Sequence, residues 1–313
     1  MLRRILDRLL AIIPVVFVVV FLIFLLLRLS PGDPAVIMAG DNATIEEVEQ
    51  IRIKLGLDQP LLSSFWHWLG RLVRGDLGIS LFSNSPVTEL IGQRLEPTLM
   101  LAAAATLFSI VFSIPLGILS ATKKGTWVDK LAMVFVVLGF SLPVFVVGYG
   151  LARVFAIDLR WLPVQGYVSI FVDPWRSINH LVLPAITIGL VYAALIARMT
   201  RSAMIEALRQ DYIRTAQAKG LSTMTILNVH ALKNAAPPII TTIGLGVAML
   251  LGGVVVTESV FAIPGLGRLT VDAVLRRDYP VIQGLMLLFS AIYFLVNLLT
   301  DLLLILVDPR VRA

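Results

Sequence analysis

The 313-residue chain is 58% hydrophobic and only 15% charged, with a mean hydropathy of +0.90. That leaves too little polar surface for a water-soluble globular protein of this length, and the chain reads as an integral membrane protein. Its net charge of +6 comes from Lys and Arg spread in ones and twos along the sequence, without a basic stripe interleaved with aromatics; the excess belongs to membrane topology, and no nucleic-acid partner is expected.

Charge-free runs occur at Leu9–Leu27, Pro97–Thr122, Leu131–Ala152, Ser177–Ala197, Asn234–Thr257 and Tyr279–Thr300. Each is long enough to cross ~30 Å of hydrocarbon as a helix rising ~1.5 Å per residue. Arg3, Arg4 and Arg8 precede the first run as they would in a cleavable signal peptide, but its 19 residues and the lack of an A-x-A site make it an anchor. Six spans place both termini on one side. The N-terminus, the Lys123–Lys130 loop, the Arg198–Lys233 segment and the C-terminus together hold 14 Lys/Arg against 5 Asp/Glu, so these segments are expected to be cytoplasmic. The expectation is an all-α integral membrane protein with six transmembrane helices: a first span within residues 1–28, an external subdomain at 29–96, a five-span core at 97–307 and a tail at 308–313. The external piece opens on the turn cluster Leu29-Ser30-Pro31-Gly32-Asp33-Pro34 and is expected to hold helices near Thr44–Leu55 and Leu61–Val73.

Small residues recur at every fourth position on three spans: Ala105, Ser109, Ser113 and Gly117; Gly189, Ala193 and Ala197; Gly244, Ala248 and Gly252. Such stripes let helix backbones approach closely in lipid. Pro115, Pro143 and Pro184 are expected to kink their helices. After the fifth span, Pro264-Gly265-Leu266-Gly267 must break the helix and begin a short one. Arg153 and Glu258 sit at span ends, where their charges are expected to reach the interface. Asn297 and Asp301 lie at i, i+4 in the last span, and an ionisable group there marks a candidate intramembrane polar site.

Catalytic signatures are weak. Ser120-Ala121-Thr122-Lys123 fits S-x-x-K but lacks the S-D-N and K-T-G companions of acylating enzymes. His67, His180 and His230 fall in an external loop, at an external span boundary and in the cytoplasmic segment, so no metal site is expected, and with no cysteine present disulfides and thiolate sites are excluded. No H-E-x-x-H and no G-x-x-x-x-G-K-[ST] stretch occurs; if ATP drives this protein, another chain must bind it.

The remaining polar stretch, DYIRTAQAKGLSTMTILNVHALKNAAPP from Asp211 to Pro238, reads as helix–turn–helix: one helix from Arg198 to Lys219, a left-handed stop at Gly220 and a cap at Ser222 or Thr223. Thr215, Ala216 and Ala218 are small enough for a partner's surface to approach, with Arg209, Arg214 and Lys219 at the rim. This segment resembles the cytoplasmic coupling loop of ABC importer permeases of the dipeptide/oligopeptide/nickel type. Aligned on Gly220 with the general Glu-Ala-Ala pattern of that loop, only Ala216, Gly220 and Leu232 match, and Arg214 stands at the Glu position. The segments LGLDQP (Leu55–Pro60) and RGDLGIS (Arg74–Ser80), the run Thr257–Pro280 with its E-x-V-F-x-x-P-G-x-G and R-D-x-P elements, and the C-terminal Asp308-Pro309-Arg310 are similar to the same branch.

The resemblance implies a type I importer permease fold with an N-terminal extension and a large external loop, located in the bacterial inner membrane. It implies a coupling loop at about 201–236 whose Asp211, Arg214, Thr215, Ala216, Ala218, Gly220 and Leu221 meet the ATP-binding subunits. Implied partners are a second, homologous permease, two ATP-binding subunits that hold ATP and Mg, an external substrate-binding protein and the lipid bilayer; the chain itself would bind no cofactor and catalyse nothing. Transport would proceed by alternating access, with peptides, glutathione, opines or nickel chelates as the possible cargo. The rival, an ATP-independent secondary transporter or channel, is disfavoured because no internal repeat and no midplane charge cluster is visible. A mere membrane scaffold would not need the coupling segment.

Overall fold

A computed structural model describes residues 2–29, 33–39, 43–54 and 56–307. Ser30-Pro31-Gly32 of the expected turn cluster, Leu55 of LGLDQP and the 308–313 tail with Asp308-Pro309-Arg310 lie outside the described residues. Among those described, the elements are α1 (Leu2–Leu29), α2 (Pro34–Ala39), α3 (Ile45–Lys54), α4 (Leu61–Val73), α5 (Val87–Thr122), α6 (Trp127–Ser141), α7 (Val144–Leu151), α8 (Pro174–Leu208), α9 (Asp211–Ala218), α10 (Thr223–Thr225), α11 (Leu232–Val260), α12 (Leu266–Arg276) and α13 (Tyr279–Val307). π-Helical turns extend α7 to Asp158 and join α10 to α11. β-Pairing among the described residues amounts to one antiparallel bridge, Ile79 with Pro86.

Among the described residues, four helices, α1, α5, α8 and α13, are singly long and apolar enough to cross a membrane; the number reaches six if each of two bent pairs is one span. One pair is α6 with Val144–Asp158, bent by 106°. Pro143 lacks an N–H and bars the residue before it from helical geometry, and Leu142 is accordingly extended at φ −88, ψ 126. The expected kink at Pro143 is therefore a break, whereas Pro115 and Pro184 are accommodated inside α5 and α8. The other pair, Thr223–Leu250 and Gly252–Val260, bends by 52°.

Two compact units are distinguished. The first comprises residues 1–95 and 269–294. Its two longer helices in the 29–96 region match the sequence expectation, and α3 starts on a reciprocal capping box: Thr44 N–H donates to Glu47 Oε2 (2.8 Å) and Glu47 N–H to Thr44 Oγ1 (3.3 Å). Phe65 of α4 is 1% exposed and is ringed by Phe17, Phe21 and Phe24 of α1 at 5.2–5.9 Å, so α4 is stapled to the first span by an aromatic cluster. Asp278 of the R-D-x-P element is buried, accepting from Ser80 Oγ (2.5 Å) and Leu81 N–H (3.3 Å).

The second unit, residues 96–268 and 295–313, is organised around α8, whose 35 residues make a rod roughly 50 Å long at ~1.5 Å per residue. The small-residue stripes of α5 and α8 face each other. Ser109 donates to the Gly189 carbonyl (2.8 Å), and Ala105, Ser113, Ala193 and Ala197 are almost fully buried. A Cβ at Gly117 would sit 2.6 Å from Thr200 Cβ and 2.8 Å from the Ala197 carbonyl oxygen. On α11 the stripe is less regular: Gly244 abuts Thr300, but Gly252 is exposed with nothing within 4 Å, and its neighbour Gly253 contacts Ile188 instead. Gly117→Ala is expected to lower stability by ~1–3 kcal/mol through overpacking against backbone, while Gly252→Ala leaves it unchanged or slightly improved. Thermal unfolding in detergent checks the pair, and equal effects would disprove the packing role of the α5 stripe.

Candidate functional site

The polar segment after α8 is built in three steps. First, α8 stops at Leu208, and Arg209 and Gln210 donate backward to the Glu206 and Ala207 carbonyls, each at 3.2 Å. Gln210 is extended (ψ 150) and α9 begins afresh at Asp211. The single helix expected from Arg198 to Lys219 is thus two helices. No breaker residue causes this: the bend lets Ile213 (1% exposed) and Ala216 (5%) turn into the cluster formed by Met204, Ala207, Ile226 and Ala231. Burying an isoleucine contributes ~1.5–3 kcal/mol, and the backward bonds of Arg209 and Gln210 replace part of what the interrupted helix gives up.

Second, Gly220 ends α9 as expected. Its φ is +75, its N–H donates to the Gln217 carbonyl (2.9 Å) and Leu221 N–H reaches back to Ala216 (3.3 Å), the paired bonds of a Schellman stop that only a residue free to adopt the left-handed region closes without strain. Third, Ser222 caps the following helix, accepting from Thr225 N–H at 3.2 Å, which decides between the two expected caps.

The outcome is a short amphipathic helix pinned at two points and displayed elsewhere. Asp211, Arg214, Thr215, Ala218, Gly220 and Leu221 are exposed, as are Gln217 and Lys219. Ala216 is the exception among the residues singled out from sequence: it faces this chain's own interior, so its small size serves internal packing. The Arg214–Asp211 pair at 3.4 Å is solvated on both sides and contributes little. Leu221 at 39%, Met224 at 68% and Val229 at 55% exposure add apolar area next to this polar face, a composition suited to docking a protein surface. Asn297 and Asp301 lie on α13 with half-buried side chains.

At the far end of α8, a second polar centre corrects one sequence expectation. Glu258 does not reach an interface: it is fully buried. Thr98 Oγ1 donates to its Oε1 (2.6 Å) and Arg268 N–H to its Oε2 (3.0 Å), while Leu266 N–H donates to Thr98 Oγ1 (2.8 Å). The carboxylate therefore caps α12, whose positive N-terminal end favours an anion. Two residues before Thr98 on α5, Glu96 accepts from Tyr167 Oη (2.8 Å), Ser169 Oγ (2.7 Å) and Ile170 N–H (3.2 Å), holding the loop between α7 and α8. Arg153, by contrast, is exposed and pairs with Asp158.

Residues 113–313 match the family described as binding-protein-dependent transport system inner membrane component, and residues 1–102 match the N-terminal family of such membrane components. The chain is 50% identical over 310 residues to the probable peptide ABC transporter permease protein y4tP of Sinorhizobium fredii, covering 98% of each chain. It is 43% identical over 312 residues to the glutathione transport system permease protein GsiC of Escherichia coli (strain K12), covering 100% of this chain and 99% of the relative. In fold, it is similar to a chain of the inward-facing MetNI methionine ABC transporter, with a TM-score of 0.59 over 71% of this chain and 97% of that one at 18% identity. Matched along nearly its whole length by these profiles and relatives, and carrying the all-helical permease fold, the chain belongs to the family of binding-protein-dependent transport system inner membrane components.

Proposed function

We propose that this chain is one permease subunit of an ATP-driven importer that carries peptides, glutathione among them, across the bacterial inner membrane by alternating access, and that the exposed face of α9 is where the ATP-binding partner docks. The observation that carries the coupling role is the construction of α9: two buried anchors, a Schellman stop, and every other position turned outward. The names of the full-length relatives support peptides as cargo. The excess of Lys and Arg in the segment containing α9 supports a cytoplasmic location for it and for both termini. Two ATP-binding subunits holding ATP and Mg, a second permease and an external binding protein complete the machine; the present chain contributes the path and the docking helix.

The test uses Ala218→Arg. Ala218 is exposed, so the substitution leaves this chain's packing intact, yet a long cation in a close-fitted interface costs ~1–3 kcal/mol, a ~5- to 150-fold loss of partner affinity. The expected result is normal membrane abundance, strongly reduced copurification of the ATP-binding subunits, and loss of uptake of a labelled dipeptide and of labelled glutathione by proteoliposomes holding the complex and its binding protein. Parental copurification and uptake in Ala218→Arg would make this segment a topological loop only.

A further inference from the structure

The end of α5, the start of α6 and a position two turns before the end of α8 meet at a buried carboxylate. Asp129, in the first turn of α6, is 5% exposed. It accepts four hydrogen bonds: Arg201 Nε at 2.6 Å and Arg201 Nη2 at 2.8 Å from α8, Ser120 Oγ at 2.5 Å from α5, and Gly125 N–H at 2.9 Å from the α5–α6 turn. The serine of the S-x-x-K sequence is thereby spent on a structural bond. The guanidinium fork engages both carboxylate oxygens, a geometry that fixes orientation as well as distance.

This cluster and α9 share a helix. Arg201 stands one turn before Met204 and nearly two before Ala207 of α8, which pack with Ile213 and Ala216 of α9 and with Ile226; Ala121 at the end of α5 belongs to the same apolar cluster. The end of α8 is thus held on one side to α9 by apolar contact and on the other to the α5–α6 turn by a bidentate ion pair. The apolar contact has no preferred orientation; the fork has one.

We propose that Arg201 and Asp129 are positioning residues for coupling: their ion pair is the strut that makes the α5–α6 turn move as one body with the docking helix and the end of α8, so that displacement of α9 reaches α5 and α6 as well as α8. The proposal rests on the reading of α9 as the contact with the ATP-binding partner, and it assigns a role to two residues that touch neither that partner nor the cargo. A merely structural ion pair behaves differently when both halves are removed, since the penalty for breaking it lies in the orphaned buried charge, and apolar or neutral replacement of the pair is often tolerated.

The double variant Asp129→Asn/Arg201→Met therefore decides the matter. The natural chain has no cysteine, so spin labels at introduced Lys124→Cys, in the α5–α6 turn, and Asn228→Cys, on the exposed side of the helix following α9, are unique. Distances between them are measured by pulsed electron resonance in the assembled complex, with and without ATP and vanadate. In the parental complex the distance is expected to stay fixed on trapping. In the double variant it is expected to shift or broaden, with the ATP-binding subunits still copurifying and ATP hydrolysis per uptake of labelled dipeptide rising on the order of 10-fold, within the usual range of coupling energies. A fixed distance and parental coupling in the double variant would overturn the strut, as would a parental distance that changes on trapping. If the double variant fails to accumulate, Arg201→Lys takes its place: it keeps the charge and loses the fork, and parental rigidity and coupling there would overturn the proposal equally. Copurification reports on the α9 docking reading separately, through Ala218→Arg, so the two ideas fail by different measurements.

Discussion

Glu258→Ala is expected to be the most damaging single change at a charged position of this chain. It removes the acceptor of Thr98 Oγ1 and of the Arg268 amide at once and leaves a void where a fully buried side chain stood. Each buried donor left unsatisfied costs ~1–3 kcal/mol, and the cavity adds to that. The sum corresponds to a fall in Tm of about 5–10 °C in detergent, accompanied by easier proteolysis at Arg268 as the start of α12 loosens. Glu258→Gln preserves shape and one acceptor, but places an amide NH2 against a group that also donates, so an intermediate loss is expected. The neighbouring glycines supply a sharper test. A Cβ at Gly265 would lie 2.0–2.5 Å from the Glu258 carboxylate atoms, so Gly265→Ala alone must expel the carboxylate and mimic Glu258→Ala. In the double variant Glu258→Ala/Gly265→Ala, the new methyl enters the space vacated. The two losses should then be markedly less than additive, as expected for groups competing for one volume. Strict additivity in thermal unfolding would show that Glu258 does not occupy the place described.

Why the sequence led to Glu258 as an interface charge, while reading the turn beside it correctly, is physically simple. Pro264-Gly265-Leu266-Gly267 and Gly220 act through their own backbone geometry, so their consequences are local and visible in a short stretch. Long apolar runs are visible for the same reason: four are single helices of the structure and the other two are its bent pairs. Thr98 is 160 residues from Glu258 and Arg201 is 72 from Asp129, and no spacing rule connects either pair. The break between α8 and α9 was hidden because Arg209 and Gln210 carry no intrinsic stop; tertiary docking of Ile213 and Ala216 decides it. Gly252 and Gly253 differ by one position, yet only the second meets Ile188, a matter of helix rotation beyond the reach of a four-residue repeat. The small residues of α9 presented a deeper ambiguity. An alanine fits equally well beneath a partner or within a core, and sequence gave no means of separating Ala216 from Ala218.

That ambiguity yields the second large effect, Ala216→Arg. Because Ala216 is 5% exposed within the chain's own cluster, an arginine there faces two choices. It can bury an unpaired cation, at a cost of several kcal/mol, or it can force α9 to detach, giving up the ~1.5–3 kcal/mol from burial of Ile213. Detachment is the cheaper course, so α9 is expected to peel away while the spans insert normally. In purified protein, trypsin should then cut at Arg209, Arg214 and Lys219 far faster than in the parent, with the ATP-binding subunits lost as well. Ala218→Arg should also lose those subunits but keep parental protection from trypsin, since Ala218 touches no internal cluster. Comparison of the two variants therefore separates a helix that cannot fold into place from one that is in place but cannot dock. Parental resistance to trypsin in Ala216→Arg would mean that α9 is not held by Ala216, and the two-point anchoring from which the docking face follows would have to be abandoned.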